Sequence, residues 1–326
     1  MKNVLITGAN GFLGKHLVKE LTKNCKSLEN LFTFRSSEYD LREVNAVRQL
    51  LNDKPCDTII HLAAKVGGIG ANKAAPGTFF YENLMMGALL VEEARKKGVN
   101  KFVNVGTICS YPKFTPVPFK ESDLWNGYPE ETNAPYGLAK KMIIVQLQSY
   151  LQEFGFKGIN LMMVNLYGPG DNFDLEKSHV IPAMLRKFHN AKMKGDSKVT
   201  LWGDGSASRE FLFVDDAAQA VRLASEKYES ADPMNIGTGR EITMKELATT
   251  IKKVTAYQGE IVWDTSKPNG QPRRCLDVSK AKSEIGFSAN ILLSMGLEIT
   301  YKWFLENMSV IETAEKTNKT EATLVA

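Results

Sequence analysis

Short apolar runs alternate with amphipathic stretches through the first half of the chain. Residues 4–6, 31–34, 58–61, 102–105 and 160–164 read as strands buried on both faces. Between them, residues 12–21, 44–51, 79–95 and 135–153 carry the spacing of helices that bury one face. Alternation of strand and helix at this interval predicts an α/β fold of Rossmann type, a doubly wound parallel sheet. Right-handed crossovers then place helices on both faces of that sheet.

After about residue 166 the pattern changes. Pro, Gly and Asp punctuate the chain at Tyr167-Gly168-Pro169-Gly170-Asp171, and the elements shorten. Residues 182–189, 215–226 and 244–254 read as helices, the first opening on Pro182, where proline is tolerated. Residues 199–202 and 261–263 read as strands. The expectation is a first domain over residues 1–165 and a smaller C-terminal α/β domain over 166–307, with some segments returning to the first. Residues 308–326 are polar, lack aromatics and show no periodicity, which predicts a flexible tail.

Composition narrows the class. The 326 residues are 43% hydrophobic, enough for one large core or two unequal ones. The net charge of +4 is mild, and Lys and Arg alternate with Asp and Glu instead of forming a stripe, so no nucleic-acid partner is expected. The N-terminus has no basic region followed by a long apolar run. No stretch approaches the roughly 20 apolar residues of a membrane span, and a cytoplasmic protein without a membrane partner is expected. Cys25, Cys56, Cys109 and Cys275 are widely spaced, with no C-x-x-C pair, and fit reduced thiols better than disulfides. His16, His61, His179 and His189 are scattered, so no metal is expected.

Gly8-Ala9-Asn10-Gly11-Phe12-Leu13-Gly14 follows the first strand and opens the first helix. The glycines permit a tight turn, a close backbone approach to a pyrophosphate and close helix–strand packing, while the helix N-terminus offers free N–H groups. Such a turn at the extreme N-terminus predicts a dinucleotide. NAD binders usually place a carboxylate at the end of the second strand. Here the strand runs into Phe34-Arg35-Ser36-Ser37, and Arg35 can grip a 2′-phosphate, so NADP(H) is the expected cofactor. His61 reads as a packed strand-end histidine, followed by the small residues Leu62-Ala63-Ala64 that would line the cofactor.

Tyr136 and Lys140 stand at i and i+4 of one predicted helix. A neighbouring ammonium is expected to lower the phenol pKa from its usual ~10, so that the tyrosine exchanges a proton at a carbonyl oxygen. Thr107, at the end of the fourth strand, would orient that carbonyl. Tyr136, Lys140 and Thr107 form the expected catalytic set.

Longer patterns follow in order: Ala64-Lys65-Val66-Gly67-Gly68-Ile69, Cys109-Ser110-Tyr111-Pro112-Lys113, Thr132-Asn133-Ala134-Pro135-Tyr136, Asn165-Leu166-Tyr167-Gly168-Pro169, Ser178-His179-Val180-Ile181-Pro182-Ala183 and Arg209-Glu210-Phe211. Together these resemble the GDP-L-fucose synthase family of extended short-chain dehydrogenases over about residues 1–305. That family catalyses 3,5-epimerisation and 4-reduction of GDP-4-keto-6-deoxymannose. The resemblance implies that Cys109 and His179 are the acid/base pair for epimerisation. Inverting a carbon beside a ketone needs one group to take its proton and another to return it from the opposite face, and a thiol and an imidazole suit that exchange.

Cofactor contacts implied by the same likeness are Gly8, Asn10, Gly11, Phe12, Leu13, Gly14, Arg35, Asp40, Leu41, Leu62, Ala63, Ala64, Lys140, Asn165 and His179. Substrate contacts are Lys187, Trp202 and Arg209, with Trp202 equally readable as ordinary core of the second domain. Lys187 stands where the family has arginine, and Thr107 where it has serine. Ile108-Cys109-Ser110-Tyr111 stands where the family usually reads Ser-Cys-Ile-Tyr. A relative acting on a 3,6-dideoxy sugar of colitose type or a keto-heptose remains an alternative, and a non-catalytic NADP-binding sensor a more distant one. The likeness also implies a homodimer joined through the helices over 79–95 and 135–153.

Overall fold

The computed structural model describes residues 1–175, 178–267 and 269–324, with side chains as far as residue 313 except that of residue 69. In chain order the elements are β1 (Asn3–Thr7), α1 (Phe12–Asn24), β2 (Asn30–Phe32), α2 (Val44–Asp53), β3 (Thr58–His61), α3 (Ile69–Ala74), α4 (Pro76–Lys97), β4 (Lys101–Thr107), α5 (Ala134–Phe154), β5 (Lys157–Met163) and β6 (Asn165–Tyr167). They continue with α6 (Val180–Lys194), β7 (Lys198–Trp202), β8 (Ser208–Phe213), α7 (Val214–Lys227), β9 (Pro233–Ile236), β10 (Glu241–Thr243), α8 (Met244–Thr255), β11 (Glu260–Asp264), α9 (Ser279–Ile285) and α10 (Leu293–Leu324).

The chain forms two compact units. The first comprises Met1–Leu166, Arg209–Glu241 and Arg273–Asn290; the second comprises Tyr167–Ser208, Ile242–Pro272 and the chain from Ile291. In the first unit six strands pair in the order β2-β1-β3-β4-β5-β9, every neighbour parallel. Alternate residues of each strand feed opposite faces of this sheet, as the two-residue period of a strand requires. Val4, Ile6, Ile60 and Val103 join one apolar cluster with Leu17, Leu21, Ala217 and Val221 of α1 and α7. Leu5, Ile59 and Phe102 join the other, with Leu50, Leu90, Ile143 and Leu147 of α2, α4 and α5. Both faces are covered, which is why these strands read as continuous apolar runs.

Two segments bear on the expected division of the chain. The helix expected over 215–226 belongs to the first unit as α7, and it leads into β9, the sixth strand of the main sheet. Four residues that include Pro233 and Asn235 give no hydrophobic period. Asn235 is nonetheless fully buried, because its amide donates to Phe119 O (2.9 Å) and Asp277 O (3.1 Å) and its oxygen accepts from Tyr111 (2.6 Å). The second segment is the stretch over 308–326, expected as a flexible tail. Helix α10 continues to Leu324, and only residues 325 and 326 of that stretch lie outside the description. Between the buried Phe304 and residue 313 the helix exposes Leu305 and Val310, which weakens the periodicity that reveals a helix.

The second unit packs α6, α8 and α10 together. At its centre Phe173 stacks on Phe304, ring centroids 4.7 Å apart, His189 meets Phe304 edge to face at 5.3 Å, and His189 Nδ1 meets Tyr301 Oη at 3.0 Å. Strands β7 and β11 pair in parallel. Helix α6 opens at Val180, so Pro182 falls third in its first turn, where an N–H has no helical partner to lose. Among the described residues no helix is long and apolar enough to cross a membrane, and all four cysteines are free thiols.

Candidate active site

The glycine turn meets the end of β3 at the carboxyl edge of the sheet, where the order β2-β1-β3 reverses the winding. Gly8 has φ +71°, and a Cβ there would lie 2.8 Å from Ala63 N. A Cβ on Gly14 would lie 2.7 Å from the Ala9 backbone. The two turns therefore touch through bare backbone. Thr7 Oγ1 locks the approach: it accepts the Ala63 N–H (3.1 Å) and pairs with His61 Nδ1 (2.8 Å). His61 is 1% exposed, and burial, then the nearby Lys140, hold its pKa well below the ordinary imidazole value. Gly11 is the N-cap of α1 and supplies no side-chain cap, leaving the first helical N–H groups to an incoming anion.

Around this cradle, Asn10 donates to Phe34 O at 3.4 Å, while Phe12 and Leu13 are partly buried on the first turn of α1. Leu62, Ala63 and Ala64 are partly buried after β3. Arg35 is exposed three residues past the end of β2, and its N–H donates to Glu38 Oε2 at 2.5 Å. Leu41 is core at 5% exposure. Asp40 is held by Arg42, whose Nη2 and backbone N–H donate at 2.7 Å and 2.9 Å and keep the carboxyl pKa low. Asp40 thus braces its own turn.

Thr107 ends β4 and caps a 3-10 turn, Ile108–Ser110, by accepting the Cys109 N–H at 3.2 Å. Its oxygen is the acceptor there, so the hydroxyl proton can serve a second partner. Helix α5 presses directly on this turn. Ser110 Oγ donates to Gly137 O at 2.8 Å, and a Cβ on Gly137 would lie 2.9 Å from the Cys109 carbonyl carbon and nearer still to its oxygen. Gly137 directly follows Tyr136, and the phenol is near enough to Cys109 for the two to interact electrostatically.

Lys140 is 3% exposed, and burial lowers its pKa to about 8. Tyr136 departs from expectation. Its pKa is raised, first by burial and then by the nearby Cys109, with no depression from Lys140. The residue as a whole is only partly buried, yet its surroundings desolvate the hydroxyl enough to keep it a phenol. A phenol in that form is a proton donor.

Behind Cys109 lies a charged group of side chains, of which the sequence singled out Arg209 but not Arg274 or Glu130. Arg274, 8% exposed, donates from Nη1 to Cys109 Sγ at 3.5 Å. Arg209 on β8 has its pKa lowered to about 10, first by burial and then by the Arg274 charge. Burial works against ionisation of Glu130, but hydrogen bonds from Thr132 and Asn133 (2.6 Å and 2.7 Å) and the Arg274 charge outweigh it and lower its pKa.

Glu210, fully buried beside Arg209, accepts N–H groups from Thr238 (2.5 Å), Gly239 (2.7 Å) and Leu276 (2.7 Å). It therefore fixes the segment that carries Arg274. Asn165 donates its amide to Glu210 O at 3.0 Å.

His179, Lys187 and Trp202 belong to the second unit. His179 is the exposed N-cap of α6 without a side-chain capping bond, and the protein around its ring lowers its pKa by desolvation. Lys187 lies two turns on in the same helix, partly buried. Trp202, at the end of β7, is 67% exposed with Lys267 Nζ 6.0 Å from its ring centroid, so it is not core.

Sequence reasoning missed Gly137, Glu210 and Arg274. A glycine inside a predicted helix is a readable sign of close approach, and it marks Gly137. Glu210 falls inside a flagged pattern, whereas Arg274 has no local signal at all.

A glycine cradle at the switch point of a parallel sheet, with a buried lysine and a protonated tyrosine at the same edge, defines a nucleotide-dependent oxidoreductase. The chain belongs to the NAD dependent epimerase/dehydratase family, whose sequence profile matches residues 4–237. It is 41% identical to the GDP-L-fucose synthase of Escherichia coli (strain K12), over 94% of this chain and 97% of that protein. Among solved structures it resembles a GDP-6-OMe-4-keto-L-xylo-heptose reductase from C. jejuni (TM-score 0.88, 29% identity, 94% of this chain and 98% of that one). It also resembles a GDP-L-fucose synthetase from Naegleria fowleri bound to NADP (TM-score 0.85, 26% identity, 94% and 95%).

Proposed function

We propose that this protein is an NADPH-dependent enzyme that epimerises GDP-4-keto-6-deoxy-D-mannose at C3 and C5 and reduces C4, forming GDP-L-fucose. The observation that carries the reading is the forced contact between the Cys109 turn and helix α5. It sets a proton-exchanging sulfur beside the tyrosine that serves the ketone, and a plain reductase has no use for that sulfur. The 41% identity to a GDP-L-fucose synthase supports the choice of sugar.

The residues fit the cofactor. The bare-backbone turn of Gly8 and Gly14 admits a pyrophosphate, the uncapped start of α1 offers it N–H groups, and an exposed arginine, Arg35, follows β2 where NAD binders usually carry a carboxylate. NADPH supplies a hydride when bound. Lys140 would hold the nicotinamide ribose, and Thr107 would orient the C4 carbonyl. Cys109 would exchange the ring proton on one face and His179 on the other. Tyr136 would donate a hydrogen bond to the developing enolate oxygen and, after reduction, its proton to the C4 alkoxide. Arg209 and Lys187 would contact the diphosphate or sugar, and the exposed ring of Trp202 the nucleotide.

A homodimer in the cytoplasm is part of the proposal. Helices α4 and α5 leave Phe80, Tyr81, Met142, Val145, Leu151 and Phe154 exposed, an apolar surface suited to a second copy. The test follows NADPH absorbance with GDP-4-keto-6-deoxymannose and identifies the product by NMR. GDP-L-fucose from wild type, and loss of inversion in Cys109→Ser, are expected. Reduction without inversion by wild type would overturn the roles of Cys109 and His179.

A further inference from the structure

We infer that Arg274 is a positioning residue for epimerisation, which holds the Cys109 sulfur in place and stabilises negative charge on it. The inference rests on the proposed function, and three observations carry it. Arg274 Nη1 lies 3.5 Å from Cys109 Sγ, within hydrogen-bonding range for sulfur, and the arginine is 8% exposed. A guanidinium N–H to an anionic acceptor is among the stronger hydrogen bonds, and burial keeps solvent from screening it.

The arginine is also held firmly. Glu210 Oε2 accepts the Leu276 N–H at 2.7 Å, Phe119 N–H donates to Cys275 O at 2.8 Å, and Asp277 N–H donates to Phe119 O at 2.9 Å. Three bonds across consecutive residues fix the backbone next to Arg274. Lastly, the charged groups that share the cluster are Arg209, Glu130 and Tyr136, each of which has its pKa moved by Arg274 or by Cys109. The sulfur thus has the Arg274 guanidinium as a hydrogen-bond donor and the Tyr136 phenol near enough to interact with it electrostatically.

The chemistry follows. When sulfur takes the proton from C3 or C5, the C–H bond breaks, an S–H bond forms, and the electron pair remains in the enolate. The Arg274 hydrogen bond favours the anionic sulfur before transfer and keeps it aimed at the ring. Because the guanidinium does not titrate, the proton gained can leave again only from sulfur.

Two readouts on Arg274→Met and Arg274→Lys test this. The first is the rate at which iodoacetamide alkylates Cys109 in the free protein, followed by peptide mass spectrometry. The second is deuterium entry at C3 and C5 of GDP-4-keto-6-deoxymannose in D2O without NADPH, which isolates epimerisation from hydride transfer. Retained NADPH binding by fluorescence certifies the fold. The Met variant should slow both by roughly tenfold, and the Lys variant, keeping charge and a donor, should recover most of the loss.

Alkylation of the Met variant within about twofold of wild type would overturn the inference. If wild type incorporates no deuterium, the proposed reaction fails, while alkylation still decides whether Arg274 acts on the sulfur. Deuterium entry undiminished in Arg274→Met would retain the reaction and reject this role.

Discussion

Replacing Gly137 by alanine tests whether the contact between helix α5 and the Cys109 turn builds the site. The added methyl would lie 2.9 Å from the Cys109 carbonyl carbon, where ordinary contact begins at 3.4 Å, and it is nearer still to the oxygen. Both obstacles are backbone, so no side chain can swing away. The turn and the helix must separate by roughly 0.5–1 Å. Overpacking of this kind costs about 1–3 kcal/mol, and removing a helical glycine returns up to ~1 kcal/mol, so the net loss should be about 0–2 kcal/mol.

Activity should suffer more. A misplacement of ~1 Å between groups that act together costs about a hundredfold at worst, and a 10- to 100-fold fall in kcat is expected. The assay pairs NADPH consumption with urea unfolding and NADPH titration, which separate a loss of turnover from a loss of fold or of cofactor binding. A variant with wild-type kcat and wild-type stability would refute the claim that the contact is forced. A variant that merely unfolds more easily while turning over normally would show that the contact matters for packing alone.

Lys140→Met should abolish hydride transfer yet stabilise the fold at neutral pH. Burial lowers the lysine to about 8 from 10.5, so the native state binds fewer protons than the unfolded chain between those values. Stability therefore climbs with pH across that window, and the roughly 3 kcal/mol cost of the buried ammonium below it disappears in the methionine variant, as urea unfolding at several pH values would show. Arg35→Ala should weaken NADPH binding by roughly tenfold and leave NADH binding almost unchanged, measured by fluorescence titration; equal losses for both would remove the 2′-phosphate role. Because Trp202 is 67% exposed, Trp202→Ala should change stability by under about 0.5 kcal/mol while raising KM for the nucleotide sugar roughly tenfold. An unchanged KM would place the ring outside the nucleotide site. Glu210→Gln should cost about 1–3 kcal/mol, because an amide turns a donor toward N–H groups that need an acceptor.

The central strands β1, β3, β4 and β5 and the helices that cover them were legible because those strands are buried on both faces and the helices on one. The glycine turn and the placing of Tyr136 and Lys140 one turn apart on α5 were legible because each depends on neighbours a few residues away. What was not legible depends on partners distant along the chain. Arg274 meets Cys109 across 165 positions, and Glu210 meets Leu276 across 66. Strand β9 hides because its polar Asn235 is satisfied by Tyr111, Phe119 and Asp277, far away in sequence. The phenol pKa went the other way from expectation because spacing on a helix reports a neighbouring ammonium but not the desolvation of the site.

The interleaving of the two units has a bearing on how the protein is made. The first 166 residues contain five of the six strands of the main sheet, yet they lack β9 and the α7 residues Ala217, Ala220 and Val221 that cover Leu17 and Leu21. As synthesis proceeds, that apolar face stays open until α7 emerges, and Ile285 and Phe287 close it later still. A nascent chain halted at residue 166 would present it to solvent, a form suited to a chaperone. No single cut in the gene would release the first unit as a self-sufficient fragment.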